Sequence, residues 1–217
     1  SGTNTLVFSY VVQPGDATGD LDYTAAGALA LNGATATDSA GNALATGLPT
    51  PGAAGSLGAN KAIVIDTTTP SVVSLTSATA DGTYNTGATI SIQVAFSEAV
   101  TVSGGVPTLQ LETGATDRLA TYAGGSGTNT LTFTYTVQPG DQTPDLEALD
   151  ASALALGGAV IADAAGNPAG LALPALGSPQ SLGGSKAIVI DAIAPGITEV
   201  TASTPDGSYK AGDVITI

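Results

Sequence analysis

Residues 130–137, TLTFTYTV, alternate without exception: Leu131, Phe133, Tyr135 and Val137 fall on one side of an extended chain, and four threonines fall on the other. Strand side chains point to opposite faces with a period of two, so the row predicts a strand with one face in a core. ATISIQVAF (88–96) repeats the device with Ile90, Ile92, Val94 and Phe96. TLQLE (108–112) and RLATY (118–122) predict two shorter strands, and KAIVID (186–191) a buried one. DGTYNTG, SGG, ETGATD, AGGSG, QPGD and AAGN separate these runs and are turn signals, rich in Gly, Asp and Asn. PDLEALDASALAL (144–156) fits either a helical turn or an edge strand, and no stretch carries a long helical period. The pattern predicts an all-β chain of antiparallel sandwiches, about seven strands to each.

The same pattern occurs twice. SGTNTLVFSYVVQPGD at residue 1 returns as SGTNTLTFTYTVQPGD at residue 126, DSAGN (38–42) as DAAGN (163–167), KAIVID (61–66) as KAIVID (186–191), and DGTYNTG (81–87) as DGSYKAG (206–212). Every pair is offset by 125 residues, and residues 1–92 match 126–217 without gaps at 48 of 92 positions. A register kept so strictly marks a structural unit. With boundaries in the proline-containing linkers DTTTP (66–70) and DAIAP (191–195), 67–191 is one whole unit. Residues 1–66 are then the back part of a preceding unit and 192–217 the first strands of a following one, a window on a longer tandem array.

Composition narrows the function. Eighteen acidic residues against four basic ones give a formal charge of -14, which repels nucleic acid and anionic membranes and attracts divalent cations. There is no cysteine and no histidine, so disulfides and thiolate or imidazole metal sites are excluded. No run is apolar enough to cross a bilayer.

The fixed order FSEAVTVSGGVPTLQLETG, ATYAGGSGTNTLTFTYTVQPGD, DLEALDASALAL, IADAAGN, SLGGSKAIVID and AP is similar to a bacterial immunoglobulin-like repeat of large surface adhesins and fibre proteins. The resemblance covers essentially the whole chain. It implies an Ig-like sandwich, a rod-like tandem array, a place outside the cell and often calcium. Such modules usually serve as the stalk, so it supplies no adhesive ligand. Glu147 and Ala148 stand where the other copy has Asp22 and Tyr23.

The carboxylates are the candidate chemistry. QPGDATGDLDY brings Asp16, Asp20 and Asp22 close together, and its copy brings Asp141, Asp145 and Glu147. Following the strands up and down places Glu98, Asp163 and Asn167 at one pole of the whole unit, next to Asp66 in the linker. The loop of Asp16, Asp20 and Asp22 is expected to face the same junction. Asp38 repeats Asp163, and Asp191 repeats Asp66 at the next joint. Calcium suits an all-oxygen site, because it takes six to eight oxygens at roughly 2.3–2.6 Å in tolerant geometry. Magnesium is stricter, and zinc or iron favour His or Cys.

Each motif has a plainer reading. Aspartates also cap turns, and DSAGN and DAAGN fit simple Asx turns. Asp81 and Asp206 fit turn residues, Tyr84 and Tyr209 core or corner tyrosines, and Lys61 and Lys186 strand starts that offset nearby acids. Paired carboxylates such as Asp20 and Asp22 also serve glycosidases, but a loop repeated in every unit and varied between copies does not fit an active site. The expectation is a non-enzymatic spacer in an extracellular, cell-surface fibre or biofilm adhesin, its neighbours being repeats of its own chain or other copies in a filament. The competing expectation is a carbohydrate- or host-binding adhesin module. Such sites use aromatic platforms, and only 4% of this chain is aromatic.

Overall fold

Two alternating rows lie side by side on one face of a sheet in the computed structural model, which describes residues 3–217. Strand β3 (Thr89–Gly104) pairs antiparallel with β6 (Thr128–Thr136), in register from Thr89↔Thr136 to Ala95↔Thr130. Ile90, Ile92, Val94 and Phe96 of the first row and Leu131, Phe133, Tyr135 and Val137 beside them are all buried. Burying each such side chain is worth about 1.5–3 kcal/mol, so this pair of rows supplies the centre of the core.

The other strands extend from this pair. In chain order they are β1 (Val72–Ser77), β2 (Gly82–Tyr84), β4 (Thr108–Glu112), β5 (Arg118–Gly124), β7 (Gln142–Thr143), β8 (Glu147–Ala148), β9 (Leu154–Ala155), β10 (Ala159–Ala162) and β11 (Ile188–Asp191). One sheet runs β1-β3-β6-β5-β4-β8, with β9 also on β4 and β10 on the far end of β3. The second sheet is β2-β11-β7. Ile188 and Ile190 of β11 join the core cluster, and Tyr84 of β2 packs against it. The ambiguous 144–156 segment forms no helix; β8 and β9 both edge onto β4.

Three features depart from the sequence pattern. The pairing is mostly antiparallel, but β2 and β11 run parallel. Parallel neighbours need a long connection, and here everything from β3 to β10 lies between them in sequence. DGTY is therefore not only a turn; its Gly82–Tyr84 become an edge strand. Two one-turn helices, α1 (Leu57–Asn60) and α2 (Leu182–Ser185), start at Ser56 and Ser181, whose hydroxyls accept hydrogen bonds from the Ala59 and Gly184 amides. A serine cap followed by a single turn is too short to show as periodicity.

Tyr84 and Tyr209 each donate their hydroxyl to a carbonyl four residues upstream, Ala80 (2.7 Å) and Pro205. Lys186 pairs with Asp81 at 2.7 Å on the surface.

Among residues 3–66 and 192–217 there is no extended strand. These flanks hold helix α1 and the isolated bridges Thr18↔Ile65 and Thr37↔Ala43.

Candidate metal centre

The linker is fixed before the site is formed. Ser97 donates its amide to the Ser71 carbonyl (2.8 Å), and the Ser71 amide donates to Ser97 Oγ (3.1 Å). The Gly170 amide donates to the Pro70 carbonyl (2.8 Å), with Ser71 and Gly170 forming a parallel bridge. These bonds hold residues 66–71 between β3 and the loop after β10.

β3 supplies Glu98 where its register against β6 shifts between Ala95 and Val100. A bulge of this kind re-aims side chains and lets one strand pair with different partners along its length. Beyond it, β3 pairs with β10, and the chain leaves β10 into Asp163. Asp66, Glu98 and Asp163 each place a carboxylate oxygen within 4.8 Å of the other two. Asp163 is buried, and Asp66 and Glu98 are half-buried.

The three acids differ in how they are held. Asp163 Oδ1 accepts the Asn167 amide (2.9 Å), and Asp163 Oδ2 accepts Asn167 Nδ2 (2.7 Å). Burial works against its charge, but these bonds and the Gly166 and Ala165 amides outweigh it and keep its carboxyl below the usual range. Asp66 Oδ1 accepts the Thr68 amide at 2.9 Å. Glu98 is pushed up by burial first, then by the charges of Asp66 and Asp163. The two ion pairs among the described residues, Arg118–Asp141 and Lys186–Asp81, lie elsewhere. Three carboxylates thus converge with no lysine or arginine paired to them.

Asn167 stands beside the three acids and joins two of them. Its side-chain amide donates to the Asp66 carbonyl (3.0 Å) as well as to Asp163, so it ties the linker to the loop. Asp38 and Asn42 make the same turn, with bonds of 2.9 and 2.8 Å, but belong to no cluster of three acids among the described residues. Asp191 accepts the Ile193 amide at 3.3 Å, as Asp66 accepts that of Thr68, and belongs to no acidic cluster among the described residues.

The aspartates of the two QPGD loops bond within their own units. Asp141 is buried and accepts three donors: Tyr135 Oη (2.6 Å), the Gln138 amide (2.8 Å) and Arg118 Nε (2.8 Å). Burial opposes its ionisation, yet those donors hold its carboxyl below the usual range. Asp16 accepts the Tyr10 hydroxyl and the Gln13 amide in the same way. Its loop does touch the linker, through Thr67: Thr67 Oγ1 donates to the Asp16 carbonyl and accepts the Gly15 amide, both at 3.0 Å. The contact is made by backbone, and the Asp16 carboxylate takes no part in it.

Asp22 and Glu147 brace the one-turn helices. Glu147 accepts Ser181 Oγ (2.6 Å) and the amides of Leu182 and Gly183 (both 3.1 Å). Asp22 accepts the Gly52 and Tyr23 amides at 3.1 and 2.9 Å. Burial opposes its charge, but these bonds and those from Ser56 and Gly58 keep its carboxyl low. The exchange of Asp for Glu between copies therefore leaves the bracing role intact. A methyl group added at Gly183 would stand 3.1 Å from Asp145 Oδ2 and 3.2 Å from Glu147 Oε2, and one at Gly58 3.0 and 3.1 Å from Asp20 and Asp22. Both pairs of acids crowd onto a glycine at the helix start, so a larger residue there would have to displace their carboxylates. The Asp145 carboxyl is raised by burial and then by Glu147 and Asp81.

Sequence reasoning missed Arg118 as the partner of Asp141 and Thr67 as the clamp of the linker. The first had no signal, although the Tyr135 bond to the same aspartate did, since a tyrosine six residues before the aspartate recurs at Tyr10/Asp16 and Tyr135/Asp141. The second had none, because threonines in a linker carry no pattern. Compared with protein-family models, curated proteins and solved structures, the chain matches none.

Proposed function

We propose that this chain is a structural segment of an extracellular bacterial fibre or giant surface adhesin. In this reading Ig-like repeats of 125 residues follow one another end to end, and calcium stiffens the joints between them. The observation that carries the reading is the convergence of Asp66, from the linker, with Glu98 and Asp163, from the strands that follow it. The donors are all oxygen and all acidic, which suits a hard divalent cation and gives a soft one no sulfur or imidazole. Bound calcium would supply the charge the three carboxylates lack and add a tie from the linker to β3 and to the β10 loop. Extracellular modules bind calcium at about 10⁻⁴ to 10⁻³ M, so filling would track exposure to the outside medium.

The test is a calcium titration of the full chain by calorimetry, thermal melting and small-angle scattering. Millimolar calcium should raise the melting temperature and stiffen the scattering profile, a chelator should reverse both, and sodium should do neither. A melting curve and profile indifferent to calcium would sink the cation, and with it the stiffened joint.

A further inference from the structure

One face of the large sheet makes the core of residues 67–191, and the other meets solvent without a charged side chain across its central strands. On β3 and β6 the outward positions pair as Thr89↔Thr136, Ser91↔Thr134, Gln93↔Thr132 and Ala95↔Thr130. Thr76 of β1 extends the Gln93 rung, and Thr121 of β5 extends the Thr134 rung. Leu119 adds an apolar side chain that is 56% exposed. A soluble surface ordinarily intersperses charges of both signs. This chain has eighteen acidic residues and places none on these rungs.

The repeat shows that the pattern is kept when the residues change. Thr130, Thr132, Thr134 and Thr136 recur 125 residues away as Thr5, Val7, Ser9 and Val11, and Thr89 and Ser91 as Val214 and Thr216. Threonine gives way to the valine of the same shape at three of these six positions, and to a charge at none. Strand propensity accounts for the branching of both residues. It does not account for the loss of hydroxyls at positions that would face only water. The rule ends at the edge of the sheet, where Glu199 repeats Ser74 of β1.

We propose that two copies of this chain pack these faces together, with a two-fold axis passing near Thr134. At a formal charge of -14, two copies repel wherever their carboxylates meet, and this face brings none together. It is an open sheet without an aromatic ring, since Tyr122, Phe133 and Tyr135 belong to the core side, so it gives a sugar no stacking platform. Another sheet suits it: two such faces stack about 10 Å apart with their side chains interdigitated. Among the described residues no hydrogen bond occupies the Thr132, Thr134 or Thr136 hydroxyl, whereas Thr130 donates to Asn129 at 3.2 Å. Four strands by seven residues measure roughly 15 Å by 20 Å, which puts a single contact among the small, transient ones. Along a tandem array such contacts add, so stalks lying side by side gain the most. That last step rests on the repeat reading; the contact itself does not, and it needs no cation.

Sedimentation equilibrium of the full chain in chelator tests the pairing, at concentrations up to about 1 mM, where transient contacts form. The weight-average mass should rise toward twice that of the monomer and stop there, because an isologous contact closes. Sodium chloride should favour the dimer by screening the like charges of the two copies. Thr134→Lys sets two cations against each other at the axis and should weaken pairing at least about tenfold. Thr132→Val with Thr136→Val, the residues of the other copy, should tighten it about fivefold, a gain that misfolding does not mimic. A chain that is monomeric at every concentration leaves the face to some other partner and overturns the proposal. A mass that climbs past dimer overturns it too, as does a Lys variant that pairs like the wild type or a Val variant that pairs no better. With chelator present throughout, neither outcome bears on calcium, and failure of the metal centre leaves the pairing untouched.

Discussion

NTLVFSYVV (4–12) and NTLTFTYTV (129–137) are nearly the same sequence, and they end in opposite surroundings. The second is mostly strand β6, hydrogen-bonded to β3 on one side and β5 on the other, with its apolar row sealed. The first makes no ladder, and its row faces solvent. Local preference is equal in the two, so it does not make the strand. What differs is whether β3 and β5 are there to be paired with, and the alternation is only an instruction for a partner. The local bonds that need no partner do survive: Tyr10 with Asp16 repeats Tyr135 with Asp141, and the Ser56 cap repeats the Ser181 cap.

The largest effect that can break the comparison comes from the paired phenylalanines. Phe133 is fully buried and packs edge-on against Tyr122, with ring centroids 6.0 Å apart. Phe133→Ala should cost about 3–5 kcal/mol in denaturant unfolding. Phe8→Ala, at an exposed site, should stay within about 0.5 kcal/mol in dilute protein. Equal losses at both positions would mean that the head is packed as β6 is, and would remove the basis of the contrast.

A middle-sized effect comes from the paired aspartates. Asp141→Asn keeps the shape but withdraws the charge from Arg118 and unsettles the buried Tyr135 hydroxyl, a loss of about 1–3 kcal/mol. The folded carboxyl titrates below its ordinary value, so its contribution is complete above the unfolded carboxylate range. It fades as pH falls through the lower folded value. The wild type should therefore lose more stability between pH 5 and pH 2 than the Asn variant does, measured by urea unfolding at each pH. Asp16→Asn, which lacks an arginine partner, should be close to neutral.

How far the sequence could be read follows the same division. Ile90 to Phe96 and Leu131 to Val137 were legible because a strand half in a core must alternate. The meeting of Asp66, Glu98 and Asp163 was legible because strand order fixes which ends share a pole. The orientation of single carboxylates was not. Asp16, Asp22 and Asp141 stand in loops and Glu147 in the two-residue strand β8, where hydroxyls and amides, some close in sequence and some more than thirty residues away, compete with any outside cation, and nothing in DxxxDxD tells which wins. The parallel pairing of β2 and β11 was hidden too, since the three residues of β2 sit inside a strong turn signal.

The smallest effect sharpens a second pair of copies, the joints at Asp66 and Asp191. Each aspartate accepts an amide two residues on, but only Asp66 meets two further acids among the described residues. Glu98 carries the strain of that meeting. Burial and its two neighbours raise its carboxyl, so the fold favours its protonated form. The stability tied to that proton is present below the ordinary glutamate range and lost as pH rises through the raised folded value, leaving a deficit at pH 7. Glu98→Gln removes the repulsion without the proton and should raise the melting temperature in chelator by a degree or two, a fraction of a kcal/mol. It should also abolish the gain from calcium, which at ten times the dissociation constant is about 1.4 kcal/mol for the wild type. Asp191→Asn should leave that gain intact. If the Gln variant melts below the wild type in chelator, the three carboxylates are not in conflict, and a cation has nothing to relieve at this joint.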